Sequence, residues 1–205
     1  RRAAARASAE EPVLPPMIPM PTGATDLWSY LLRSRIIFIG QKINDSLAAQ
    51  VVSSLLYLEA LSPEDDIRIY LNTQGGMGHS VMGIYDTMQY VRPDVQTVAL
   101  GVVGSSANLL LAGGTAGKRM STTNARVMLG QPFGGAAGSV VDATITSNEL
   151  VRQRAVINEL YAKHTGLPVS EVAALCDRDR FLSGPEAKEL KFIDEVIDEE
   201  YGIFG

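Results

Sequence analysis

Residues 101–135 read GVVGSSANLLLAGGTAGKRMSTTNARVMLGQPFGG, and their order decides the fold. A turn of small residues, Gly104-Ser105-Ser106, sets Ser105 at the start of an apolar helix built on Leu109, Leu110 and Leu111. A short run rich in apolar residues, 125–129, reads as a strand and leads to Gly130. Working outward, residues 95–100 form the strand that feeds the turn. Strand, tight turn and buried helix in that order belong to an α/β sheet. The whole stretch from 96 to 117 carries no charge, yet Gly101, Gly104, Ser105, Ser106, Asn108, Gly113 and Gly114 interrupt it, so a membrane span is not expected.

The totals fit this reading. A chain of 205 residues holds one sizeable domain and a tail. Hydrophobic residues make up 46% and charged ones 20%, which is the composition of a globular chain. A net charge of −5, with no basic block beyond the first residues, gives no general pull toward nucleic acid. The single cysteine, Cys176, has no partner for an internal disulfide, and no CxxC or His-rich spacing suggests a metal or other cofactor. Residues 1–12, RRAAARASAEEP, hold Arg, Ala and Ser with no acid before Glu10. That pattern suits the end of an organelle transit peptide or an ordinary disordered tail. Pro12, Pro15, Pro16, Pro19 and Pro21 then exclude a helix, so the segment is expected to be extended and mobile.

From Ala24 the pattern is regular. Thr25 is expected to cap a short helix over residues 26–34. Residues 35–40, RIIFIG, read as a buried strand, residues 43–61 as a helix ended by Ser62 and Pro63, and residues 67–71 as the next strand. Residues 72–80, NTQGGMGHS, form a glycine-rich turn into a helix that runs to about Val91. Arg119 and Met120 are strand-like. Residues 134–138, GGAAG, read as a hinge. Ser139 and Asp142 have capping-box spacing and open a long helix to about His164, stopped by Gly166 and Pro168. Such a helix is expected to protrude, leaving its apolar residues to a partner chain. A short helix ends near Cys176, a helix capped by Ser183 with Glu186 follows, and a last strand spans 192–197. The alternation predicts an α/β domain with a mostly parallel sheet.

Serine attack on an amide needs a positioned hydroxyl, a base for its proton and donors for the oxyanion. The hydroxyl candidate is Ser105, which by spacing alone is also a small turn residue that permits close packing. The backbone N–H groups of Gly76 and Ser106 are the candidate oxyanion donors. Only two histidines exist, His79 and His164. His164 lies at a helix end and reads as a capping residue. His79 opens the helix after the glycine turn and is the one surrogate base on offer. Asp179 sits in an alternating Asp-Arg-Asp-Arg run, for which solvated ion pairing is the default.

The stretches SRIIFIG, IYDTMQYVRPDV, LLLAGGTAGKR, ARVM before QPFGG, AKHTG and DRDRFLSGPEA lie in order from about Asp26 onward. In these the chain closely resembles the ClpP family of self-compartmentalising serine peptidases. The resemblance implies the ClpP/crotonase-like α/β spiral fold with a protruding handle helix. Residues 1–23 are then an extended Pro-rich segment, either a transit-peptide remnant or part of an axial region. Residues 24–205 are a ClpP-like domain with its handle at about 134–164. By the same resemblance the nucleophile position is Ser105, the acid position is Asp179, and the base position, histidine in the family, is Gly130. Asp177 and Arg178 fall where the family has inter-ring contacts. Arg68, Tyr70 and Tyr90 fall in or near the cleft that receives unfoldase loops, with Arg68 replacing an aromatic residue.

Glycine cannot take a proton, and the departures cluster at the site. The chain therefore resembles the ClpR-type, catalytically incomplete subunits of plastids and cyanobacteria. That implies a non-catalytic member of the proteolytic core of an ATP-dependent Clp protease. It would sit in mixed heptameric rings of ClpP and ClpR-type subunits, stacked in pairs, and an AAA+ Clp unfoldase would deliver unfolded protein substrates. The Arg/Ala/Ser start favours the chloroplast stroma over a cyanobacterial cytoplasm. Two other readings stand beside it. One is an active serine endopeptidase that uses His79 or a neighbour's residue as base. The other is a crotonase-type acyl-CoA enzyme, for which no basic cluster near the glycine turns suits the CoA phosphates.

Overall fold

The computed structural model describes residues 15–20, 23–132 and 139–197. Its centre is a mostly parallel sheet of seven strands. Four of them form its first part: β3 (Ile36–Ile39), β4 (Ile67–Thr73), β5 (Val95–Gly104) and β6 (Arg119–Thr122), adjacent in that order and parallel. β9 (Glu195–Ile197) adds in parallel to β6, β7 (Arg126–Leu129) pairs in parallel with β5, and β8 (Arg180–Leu182) runs antiparallel to β7. Crossover helices pack against this sheet. These are α2 (Asp45–Leu61), α3 (Gly78–Tyr90) and α4 (Ala107–Ala112), with core side chains such as Leu55, Leu58, Ile84 and Leu110 fully buried. The predicted α/β domain with a mostly parallel sheet is what forms.

β5 is the strand that positions the site, and it is longer than the expected 95–100. Its first half pairs with β6 through Thr97, Val98 and Ala99, and its second half pairs with β7 through Val102, Val103 and Gly104. The change of partner occurs at Gly101, whose φ of +56° bends the strand without ending it. Asn72 Oδ1 holds the bend by accepting the Val102 N–H at 3.3 Å.

Other boundaries also differ from expectation. The short helix is α1 (Leu27–Arg33), and its cap is Asp26, which accepts the Ser29 N–H, while Thr25 lies in a strand. That strand, β2 (Gly23–Asp26), pairs antiparallel with β1 (Met17–Met20), so part of the Pro-rich segment is paired strand. Prolines exclude a helix but are tolerated in edge strands. α2 begins at Asp45 because Asn44 caps it, and Ile43 instead bridges to Gly76. Arg35 fastens the far end of α2, its guanidinium donating to the carbonyls of Leu58, Ser62, Asp65 and Asp66. The hinge expected at 134–138 lies outside the described residues.

The long helix is α5 (Val140–Thr165), with the capping box of Ser139 and Asp142 formed and Gly166 at its end. Its buried residues, Ile157, Asn158, Tyr161 and Thr165, all lie in its second half, whereas Val140, Val141, Ile145 and Val151 are exposed. The first half therefore stands clear of the domain's core. α6 (Val169–Leu175) and α7 (Gly184–Glu189) follow, the latter with the capping box of Ser183 and Glu186. β8 lies between them in the DRDRFL stretch, where no strand was expected. The last strand is shorter than 192–197, because Phe192 and Ile193 are buried ahead of it. Among the described residues no helix is long and apolar enough to cross a membrane.

Candidate active site

Ser105 stands between the end of β5 and the start of α4, with φ at +48°. A non-glycine residue held there stores roughly 1–3 kcal/mol of backbone strain, and it persists only where its surroundings fix it. Here the surroundings do so. The Ser105 N–H donates to Met128 O of β7 at 2.9 Å, and Tyr161 Oη of α5 donates to Ser105 O at 3.2 Å. Asn108, fully buried one turn further on, donates its Nδ2 to the same Met128 carbonyl. Its Oδ1 has no hydrogen-bond partner among the described residues. The nucleophile turn is thus bolted to β7 at two points. Asn108 was missed as a site residue; its signal is an amide inside the otherwise apolar ANLLLA helix.

The same bolting fixes where Gly130, the expected base position, lies. β7 ends at Leu129, opposite Arg180 of β8, so the register sets Gly130 beside Asp179. A Cβ added at Gly130 would lie 2.6 Å from Asp179 Oδ1. The expected acid and base positions are therefore neighbours, and among the described residues no imidazole stands between Asp179 and the serine turn. Asp179 is exposed and Gly130 buried.

The glycine turn approaches from β4. Ile43 N–H donates to Gly75 O at 3.0 Å, and Met77 N–H donates to Ile43 O at 2.9 Å. Between them a Cβ at Gly76 would overlap the backbone of Ile43, so only glycine fits. Gly76 N–H points at Ser106 Oγ, 3.1 Å away, which brings both candidate oxyanion donors to one place.

The remaining candidates are elsewhere. His79 is exposed on α3 and its Nε2 lies 3.3 Å from Gln153 Nε2 of α5. His164, in the last turn of α5, meets Tyr85 Oη at 2.7 Å. Burial, helped by Lys163 and Arg119, pushes its pKa down to about 4, so it is neutral in the fold. Burial pushes the Cys176 thiol up to about 11, which leaves it a poor nucleophile. Asp177 is engaged within the chain: Gln131 Nε2 donates to its backbone oxygen and its Oδ1, both at 2.8 Å, and Arg154 lies 3.7 Å from Oδ1. Arg178 is almost fully exposed. Arg68 and Tyr70 are two apart on β4 and so share a face, Tyr70 half-buried beside Phe38 and Val98. Tyr90 is exposed at the end of α3. A groove of about 940 Å³ between α1, β3 and α2, flanked by Trp28 and Phe38, includes none of the Ser105, Gly130 or Asp179 positions. Among the described residues no group of His, Cys, Asp or Glu is arranged to hold a metal ion.

A strained serine at a strand-to-helix turn, paired backbone N–H groups and an acid beyond the next strand end stand where the resemblance led one to expect a serine-peptidase site, with Gly130 at the expected base position. A family model described as Clp protease matches residues 21–200, and the chain belongs to that family.

Proposed function

We propose that this chain is a non-catalytic, ClpR-like subunit of the proteolytic core of an ATP-dependent Clp protease, working in a plastid stroma. It contributes to mixed heptameric rings, stacked in pairs, beside catalytically complete ClpP subunits, and an AAA+ unfoldase supplies the substrate protein. The observation that carries this reading is Gly130, set directly beside the Asp179 carboxylate where the triad needs an imidazole. A positioned general base contributes about 10²–10⁴-fold, and within a triad its loss removes nearly the whole effect of the unit. Ser105 then keeps its proton. The retained scaffold and the uncovered first half of α5, with Val140, Val141 and Ile145 facing outward, support an assembly role.

The test is labelling of the pure chain by a fluorophosphonate probe, with Ser105→Ala as the reference. Labelling no greater than that of the reference supports the reading. Labelling that Ser105→Ala abolishes removes it in favour of an active peptidase with another base, and His79→Ala then asks whether His79 is that base. Native mass spectrometry of the chain mixed with complete ClpP subunits checks the assembly role, which fails if no mixed ring appears.

A further inference from the structure

The base is not the only missing function at this site. Oxyanion stabilisation requires N–H donors that are free to meet the developing oxygen at about 2.7–3.1 Å. Gly76 N–H is one of the two candidates here, and it already has an acceptor, Ser106 Oγ at 3.1 Å. The hydroxyl returns its own hydrogen toward Gly76 O, 3.4 Å away. The pair is closed on itself.

Ser106 holds the N-cap position of α4, where a serine ordinarily turns its oxygen onto the first free N–H groups of its own helix. It makes no such capping bond, and its backbone is already helical, at φ −61° and ψ −26°. The side chain instead crosses to the glycine turn, and it is only 8% exposed. Gly75 packs against it so closely that a Cβ there would come within 2.8 Å of Ser106 Oγ. The hydroxyl is enclosed by groups that fix its direction. A substrate carbonyl entering this pocket has to displace a buried, hydrogen-bonded oxygen from the donor it needs.

We infer that Ser106 is a built-in plug of the oxyanion pocket, a second obstacle to peptide cleavage that is independent of Gly130. The inference rests on the non-catalytic reading above and deepens it. Restoring an imidazole at position 130 does not by itself restore the reaction, because the negative charge formed on attack meets one donor already in use.

The experiment compares fluorophosphonate labelling rates of Gly130→His and of Gly130→His with Ser106→Ala. An oxyanion donor is worth about 10²–10³-fold, so the double variant is expected to label on the order of 10²-fold faster. Equal or slower labelling of the double variant, including none from either, overturns the plug. A second measurement needs no catalysis: amide hydrogen exchange at Gly76 in the Ser106→Ala chain, expected to be about tenfold faster than in the native chain once its acceptor is gone. Unchanged exchange also overturns the inference. Ser105-dependent labelling of the native chain sinks the non-catalytic reading instead, so the two failures are distinguishable.

Discussion

Ser105 and Gly130 stand at the ends of adjacent strands, β5 and β7, yet their surroundings differ. The serine turn is held from three sides: by Met128 O of β7, by Tyr161 Oη of α5 and, through Ser106, by the glycine turn. Helix α4 behind it is entirely buried. Below α4, Tyr85 packs so tightly that a Cβ at Gly113 would reach its ring at 2.8 Å, and His164 bonds the Tyr85 hydroxyl. Gly130 instead faces an exposed carboxylate just ahead of a short edge strand. The serine turn is tied into the domain by bonds from three sides, whereas Gly130, though buried, has only an exposed carboxylate beside it. On the proposed non-catalytic reading, an imidazole beside Asp179 can be lost at little cost in stability, but the turn cannot easily be lost. On that reading Ser105 has a reason to persist without chemistry.

The largest effect is expected at the glycine turn. Gly76→Ala drives a methyl group into the backbone of Ile43, where no flexible side chain can yield. Overpacking of this kind costs about 3 kcal/mol, read as a drop in the urea midpoint. A loss under about 1 kcal/mol would mean that the two turns are not locked together. Next comes acid. His164 titrates near 4 in the fold against about 6.5 unfolded, so between those values the unfolded chain binds one more proton. The stability from keeping the ring neutral is complete above about pH 6.5 and is lost as pH falls through 4. Since part of the ring faces solvent, the loss is discounted to about 1.5 kcal/mol. Urea midpoints at pH 7 and 4.5 should differ less in His164→Asn than in the native chain, and equal differences would refute the assignment.

Smaller changes sharpen the contrast at Ser105 itself. Tyr161→Phe removes one hydrogen bond to Ser105 O, which keeps the Asn108 N–H at 3.2 Å, so about 1 kcal/mol is expected from the denaturation midpoint. Ser105→Gly relieves the +48° strain and should be more stable than Ser105→Ala by about 0.7 kcal/mol. No difference between the two would show that the turn is not strained.

Much of the fold was legible because its signals are local. Ser139 with Asp142 and Ser183 with Glu186 predicted their helix starts, and both capping boxes form. The parallel sheet followed from strands alternating with helices. β5 was cut short because Gly101 reads as a strand end, whereas here it bends a strand that continues. β8 was missed because DRDR reads as a solvated charge run, and only pairing with β7 makes it a strand. Asp26 displaced Thr25 as cap because both residue types cap and only the carboxylate reaches Ser29. At the site, the small-residue turn singled out Ser105 as a candidate, and the family resemblance, not spacing, pointed to Gly130 and Asp179. Neither gave a hint that Ser106 Oγ holds the Gly76 N–H, a bond between residues 30 apart in sequence. Contacts of that kind are set by tertiary packing and leave no local pattern.

The smallest effect is expected at Gly130, and it tests the comparison most directly. A methyl group there meets only Asp179 Oδ1, the end of an exposed side chain that can swing into water. Alanine also narrows the unfolded ensemble, which favours the folded chain where the backbone accepts it. The φ of Gly130 lies outside the positive range, so the backbone does accept it. The two contributions leave Gly130→Ala within about 0.5 kcal/mol of the native chain, against about 3 kcal/mol for the same substitution at Gly76. Asp179→Ala should be equally mild. If Gly130→Ala instead destabilises the chain by 2 kcal/mol or more, the glycine is itself a packing requirement. The missing imidazole would then reflect a constraint of the fold rather than a function released from it.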